Sequence, residues 1–358
     1  MTNNAAVHAS RRNRKLTPTA TAAGAAVIAA LLLAGCSTEE PDQPKRPSPV
    51  EPSPQKSSHA PAEKSSAFSP YVDTSLRPPY DLLKGAEETG VKEYNLAFVS
   101  PGGGCVPKWG GRQALRDNPV ARQADALRAK GGDVRISFGG QSGNELARVC
   151  GSVDKLVNAY SEVIDAYHLT KVDFDIEGPA LTDTKANNLR AQAIARLQQR
   201  KKLDVSFTLP VLPSGLNRHA VAVLENAKKH GDRISSVNIM AMDYGTYYHG
   251  DMGEYAIAAA TATQKQVKAA LGIRTEAEAW KTVAVTPMIG VNDVKVEVFR
   301  PDDAAELKRF AEKKGLGRLS MWSVTRDKAC PGGPNFKAAA TCSSIGKAAN
   351  EFARVFTG

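Results

Sequence analysis

The chain has 358 residues, 42% of them hydrophobic and 23% charged, and a formal net charge of +10. That apolar fraction excludes a wholly disordered or collagen-like chain, and the length provides a sizeable core in one large domain or two modest ones. A basic excess raises nucleic-acid binding, and the answer depends on where the charge sits.

Four units of it, Arg11, Arg12, Arg14 and Lys15, lie in residues 1–35, which contain no acidic residue. Residues 36–65 carry −1, which leaves +7 on residues 66–358. Clusters there, such as Arg200-Lys201-Lys202 and Lys313-Lys314, read as solvated helix ends, and no nucleic-acid partner is expected.

Residues 1–35 pair a positive stretch, Arg11 to Lys15, with an apolar run, 22–35, too short for a comfortable membrane span. This is the pattern of an export signal. Its end, Leu33-Ala34-Gly35-Cys36, resembles the bacterial lipobox. That resemblance implies cleavage before Cys36, a lipid on its sulfur and a chain held at the outer face of the cell membrane, with later extracellular release as a further route. A plain signal peptide cut elsewhere is the alternative. Residues 36–66 are rich in Pro, Ser, Lys and Glu and show no hydrophobic period, so a disordered, partly polyproline linker tethered at Cys36 is expected.

From residue 67 onward short apolar runs alternate with amphipathic stretches. Strands are expected over 69–72, 94–99, 134–138, 171–176, 203–209, 236–242, 282–287 and 318–322. Helical periods fall between them at 120–130, 153–167, 186–199, 220–230, 255–271 and 303–314. Eight strands with helical crossovers place residues 67–358 in the α/β class, as a (β/α)8 TIM barrel; a doubly wound open sheet is the competitor. A monomer is expected.

Exported chains can form disulfides. Cys330 and Cys342 follow the last strand, and Cys105 and Cys150 follow the second and third, so pairing 105–150 and 330–342 is expected, although spacing alone does not fix it.

The most informative segment is Lys171-Val-Asp-Phe-Asp-Ile-Glu-Gly178. Strand alternation points Asp173, Asp175 and Glu177 one way and Phe174 and Ile176 the other. Three like charges in an inward column are costly unless they share protons and hydrogen bonds, and their repulsion raises at least one pKa. A carboxyl kept protonated in this way is a candidate general acid. A metal cluster and a solvated acidic strand are the alternatives.

This segment resembles the fourth-strand signature, DxxDxDxE, of glycoside hydrolase family 18, the chitinase family. Ser137-Phe-Gly-Gly140 resembles that family's SxGG motif, Met240-Ala-Met-Asp-Tyr244 its strand-six motif, and Met321-Trp322 its strand-eight tryptophan. The chain departs at Thr170, where the outer Asp stands in the family, and at Met242, where many members carry a tyrosine.

The resemblance implies substrate-assisted, retaining hydrolysis of β-1,4-linked N-acetylglucosamine, from chitin or its oligosaccharides, without a cofactor. Glu177 is implied as acid and base, Asp175 as its partner toward the acetamido N–H, and Asp173 as sharing a proton with Asp175. Tyr244, on the strand period two residues beyond Met242, stands in for the missing hydroxyl. Trp322, Asp243 and Met240 are implied substrate contacts, Gln141 and Asn144 rim positions, and Trp109 a further sugar platform or a structural residue.

An endo-β-N-acetylglucosaminidase and a non-catalytic carbohydrate-binding lipoprotein are the alternatives. Ser137 lacks a nucleophile elbow, and the six His show no metal-ligand spacing.

Overall fold

A computed structural model describes residues 67–142 and 144–358. The export signal, Cys36 and the Pro-rich linker lie outside the described residues.

The first barrel strand is split into β1 (Ala67–Phe68) and β2 (Tyr71–Asp73). There follow β3 (Glu93–Pro101), β4 (Asp133–Gly139), β5 (Lys171–Asp175) and β6 (Asp204–Leu212). β7 (Ile234–Ala241), β8 (Val283–Pro287) and β9 (Arg318–Leu319) complete the sheet. Each strand pairs in parallel with the next around the ring. The split strand closes it, because β2 sets Tyr71 against Asn95 of β3 while β1 sets Ala67 against Arg318 of β9. The Ser69 N–H to Leu319 carbonyl bond (2.9 Å) and the Tyr71 N–H to Met321 carbonyl bond (3.0 Å) continue that seam. The expected (β/α)8 barrel is therefore formed.

The crossovers are helical, with boundaries set by capping. Helix α1 (Leu82–Thr89) starts where the Asp81 side chain accepts from the Leu83 and Lys84 N–H groups. The stretch expected as one helix over 120–130 is a 3₁₀ turn, Ala121–Gln123, running into α2 (Ala124–Ala129). Helix α3 (Val153–Ala166) buries Leu156, Val157, Tyr160, Val163 and Ile164, which is one face at helical spacing. α4 (Thr184–Arg200), α5 (Arg218–His230), α6 (Met252–Leu271) and α7 (Pro301–Lys314) follow. The last three each end on a glycine with positive φ, at Gly231, Gly272 and Gly315. A final helix, α8 (Glu351–Thr357), packs Phe356 against Phe68 at 5.0 Å.

The two faces of β5 explain the barrel's chemistry. Phe174 faces the helices, stacked on Phe138 (5.4 Å) and meeting Tyr160 of α3 (5.1 Å). Asp173 lies opposite Ser137 of β4 and Ser206 of β6 and faces inward. The two expected disulfides are present, Cys105–Cys150 between loops that follow β3 and β4, and Cys330–Cys342 beyond β9. Trp280 is structural, packed edge-on against Phe310.

Behind the loop that follows β4, Glu145 and Arg190 of α4 form an ion pair at 2.7 Å, each side chain only 1% exposed. The Tyr160 hydroxyl donates to Glu145 at 2.6 Å and the Ala147 N–H at 3.0 Å. Removing one partner of such a pair leaves an uncompensated buried charge. Arg190→Ala is expected to cost about 3–5 kcal/mol of folding stability by chemical denaturation; a loss below about 1 kcal/mol would show the pair to be solvated.

Candidate active site

The acidic column runs from the barrel interior to its C-terminal rim. Asp173 is fully buried and accepts hydrogen bonds from four hydroxyls: Tyr71 (3.0 Å), Ser137 (2.6 Å), Thr208 (2.9 Å) and Ser206. Asn238 donates to Thr208 (3.0 Å) and Tyr71 (3.3 Å), and accepts from Thr286 (2.8 Å). Both Asp173 oxygens are thus occupied by hydroxyls. The expected proton shared between Asp173 and Asp175 is not what this arrangement holds; Asp173 acts on Asp175 through its charge.

Asp175 is 4% exposed and is hydrogen-bonded to Glu177. Burial, then the charges of Glu177 and Asp173, hold its pKa well above the usual carboxylate value. Its Oδ1 has no hydrogen-bond partner among the described residues. Glu177 is extended (φ −129°) and leads into a short helix, Gly178–Thr182, through Gly178 at φ +49°. Burial pushes Glu177 up to about 7, against the lowering effect of the Asp175 hydrogen bond; the Asp243 charge adds to the rise.

The backbone under this pair requires glycine. A Cβ on Gly139 would lie 2.1 Å from the Asp175 carbonyl oxygen, and one on Gly140 would lie 2.8 Å from the Phe98 ring. Both glycines have positive φ. The Ser137-Phe-Gly-Gly140 segment therefore lets β4 press against β5 where the acidic column emerges.

Above the column is a cleft of about 260 Å³. Asp175, Glu177, Asp243 and Asp293 supply its charge, while Phe98, Met240, Met242, Met288 and Trp322 supply its apolar wall. Trp322 stacks on Phe98 (5.6 Å between centroids) and leans on Tyr71 (5.9 Å). Asp243 accepts from the Val294 N–H at 2.8 Å and Glu297 from the Gly245 N–H at 2.8 Å, which ties the loop after β7 to the loop after β8. Burial, then the charge of Asp293, raises the Asp243 pKa.

Of the residues expected from sequence, Asp175, Glu177, Met240, Asp243, Gln141 and Trp322 converge on this cleft, and Asp173 supports it from behind. Asn144 is exposed nearby in sequence and is not among the cleft walls.

Two expectations need correction. Tyr244 does not line the cleft: it is 6% exposed, packs among Tyr248 and Tyr255, and its hydroxyl has no partner among the described residues. The strand period that would have aimed it inward stops at Ala241, and Asp243 takes φ +50°, which turns the chain away. Trp109 is 3% exposed and donates its indole N–H to Tyr167 (2.9 Å) and the Leu115 carbonyl (3.2 Å). It borders an adjoining groove, but its ring is a packing element.

Sequence reasoning passed over Tyr71, Phe98, Thr208, Met288 and Asp293. The signal for the first and third was polar residues at inward positions of otherwise apolar strands. Asp293 sits on an irregular loop that carries no period.

A closed (β/α)8 barrel with paired carboxyls at the C-terminal end of one strand is an arrangement that glycoside hydrolases use. Comparison with known proteins makes this narrower. A solved catalytic domain of a hyperthermophilic chitinase from Pyrococcus furiosus is 34% identical, with a TM-score of 0.74 over 82% of this chain and 94% of that one. A family GH18 chitinase domain from a fern shares the fold at 16% identity and a TM-score of 0.56, over 81% of this chain and 99% of that one.

A probable bifunctional chitinase/lysozyme of Escherichia coli is 35% identical over 75% of this chain, and endochitinase 11 of Metarhizium anisopliae is 33% identical over 73%. The chain spans 31% and 52% of those two relatives' own lengths. No family model matches the chain. The chain belongs to the family 18 chitinases.

The raised carboxyl has a stability consequence. An unfolded Glu177 loses its proton near its ordinary value of 4.5, whereas the folded one keeps it up to about 7. Stability is therefore full below 4.5 and falls as pH rises toward 7. Glu177→Gln removes that loss and is expected to gain up to about 3 kcal/mol relative to wild type between pH 4 and pH 8. Parallel denaturation curves at the two pH values check this; an equal difference at both would place Glu177 in solvent.

Proposed function

We propose that the cleft hydrolyses β-1,4 linkages between N-acetylglucosamine units, with retention and with the substrate's own acetamido group as nucleophile. The observation that carries this reading is the Asp175–Glu177 hydrogen bond at the floor of a cleft walled by Trp322 and methionines. The names of the relatives, all chitinases, agree with it.

Glu177 keeps its proton up to about pH 7 and so has one to give, while the Asp175 carboxyl beside it is held well above its usual value by burial and its neighbours' charges. Glu177 donates it to the glycosidic oxygen as that bond breaks. The acetamido carbonyl oxygen bonds to the anomeric carbon and forms an oxazolinium ion. Asp175 keeps its own proton, and its O–H then stabilises the new Glu177 carboxylate, while its unpartnered Oδ1 accepts the acetamido N–H. Water next adds to the anomeric carbon as its bond to the acetamido oxygen breaks, and gives a proton to Glu177, which restores the acetamido group and the starting state. Trp322 offers its face to the sugar and the acetyl methyl.

The test is product analysis on N-acetylchitooligosaccharides. Cleavage is expected, with kcat/KM falling above about pH 7 as Glu177 loses its proton. Glu177→Gln is expected to lower kcat by roughly 10²-fold or more. Oligomers with a free amine in place of the acetamido group at the cut should resist cleavage. Turnover of such oligomers would remove the acetamido group from the mechanism, and cleavage of N-glycans alone would favour an endo-β-N-acetylglucosaminidase. Binding without cleavage would favour a carbohydrate-binding protein.

We also propose that the chain is exported and anchored at the outer face of the membrane through a lipid on Cys36, on the strength of the Leu33-Ala34-Gly35-Cys36 pattern. Cys36→Ala is expected to move the protein from the membrane fraction to the soluble one; unchanged fractionation would overturn the anchor.

A further inference from the structure

The catalytic cleft does not end at Trp322. A second cavity of about 790 Å³ shares Phe98, Gln141 and Trp322 with it, so the two form one groove with the tryptophan at the join. Their charges are opposite. The negative charge of the first rests on Asp243 and Asp293, since the Asp175–Glu177 pair holds its protons for catalysis, and the cleft has no Lys or Arg among its described wall residues. The second holds Arg77, Arg112 and one carboxylate, Asp73.

Asp73 is turned onto its own loop, where Oδ1 accepts from the Ser75 N–H (3.0 Å) and hydroxyl (2.6 Å). Arg77 donates to the Leu76 carbonyl (2.9 Å) and the Ser75 carbonyl (3.3 Å) of the same loop, and Arg77 and Arg112 are both exposed. Asp293 is exposed on the opposite arm. The groove thus carries negative charge on one side of the join and positive charge on the other.

N-Acetylglucosamine is uncharged and does not sense this difference. A chain that has lost some acetyl groups does, because each free 2-amino group is a cation when protonated. We propose that the groove sorts partly deacetylated chains by charge: the Asp243–Asp293 arm accepts 2-ammonium sugars, and the Arg77–Arg112 arm excludes them. This inference rests on the glycosidase reading above. It concerns sugars flanking the cut, since the sugar at the cut supplies the acetamido nucleophile. Each exposed charge is worth a fraction of a kcal/mol, or roughly a two- to fivefold bias, and such a bias weakens as salt is raised.

The experiment digests partly deacetylated chitosan at a pH where its amines are protonated, then sequences the products at their new reducing and new non-reducing ends by mass spectrometry. The wild-type protein is expected to enrich glucosamine near one new end and deplete it near the other, each by roughly two- to fivefold, and less in 1 M salt. Asp293→Asn is expected to reduce the enrichment alone, and the double variant Arg77→Gln/Arg112→Gln to relieve the depletion alone. Each variant's bias is read as a ratio within its own digest, so a general loss of rate does not enter. Equal glucosamine at both ends, or a bias untouched by these variants, would overturn the inference and leave the glycosidase reading standing. Failure to cleave the fully acetylated oligomer would overturn both.

Discussion

A carboxylate with no exposure to water sits at the centre of the barrel, and much of the interior is arranged around it. Asp173 is tolerated there because four hydroxyls, from β2, β4 and β6, fill both of its oxygens. A buried charge without such partners costs far more than a packed apolar residue in its place. The polar layer of Ser137, Ser206, Thr208, Asn238 and Thr286 is therefore not a defect of the core. It holds a negative charge beneath Asp175, and that charge, together with burial, keeps the Asp175 proton in place. Glu177 then has a protonated neighbour that can stabilise it as an anion. A chain of electrostatic support runs from the barrel's middle to its rim, each member setting the protonation of the next.

The rim is assembled by local departures from regular structure. Gly139 and Gly140 remove the Cβ atoms that would hold β4 away from Asp175 and Phe98. Asp243 leaves the strand conformation at φ +50° and is fixed by the Val294 N–H. Both departures place groups where a continued strand would not. The second also shows why Met242, in place of a tyrosine, is not repaired by Tyr244: the hydroxyl lies two residues further on, where the chain has already turned.

Much of this was legible in the sequence. The alternation in Lys171 to Gly178 fixed which carboxyls point inward, because a period of two leaves no other choice in a half-apolar strand. The eight apolar runs set the barrel. What was hidden was hidden for physical reasons. Tyr244 was misplaced because strand periodicity was extended past the residue where the strand ends. Trp109 was offered as a sugar platform because an aromatic in a loop does not reveal whether its indole N–H faces water or, as here, Tyr167. Asp293 reaches the cleft from a loop and Phe98 from a register irregularity of β3 between Leu96 and Val99, and neither leaves a trace in residue spacing. The helix at α2 was expected longer than it is, since apolar spacing does not distinguish a 3₁₀ turn from the first turn of an α-helix.

The two disulfides bear on more than the barrel's own stability. Cys105 and Cys150 are 45 residues apart in sequence and join the loops after β3 and β4, while Cys330 and Cys342 are 12 apart within the segment after β9. Cys150 is itself buried in the apolar core, and Cys105 packs against it. Cys105–Cys150 restrains the loop that brings Trp109, Gly110 and Arg112 to the wall of the second cavity, whereas no residue between Cys330 and Cys342 lines either cavity. With that first bond reduced, the Trp109–Arg112 side of the groove would lose its fixed position, and recognition of a long chain would weaken along that arm.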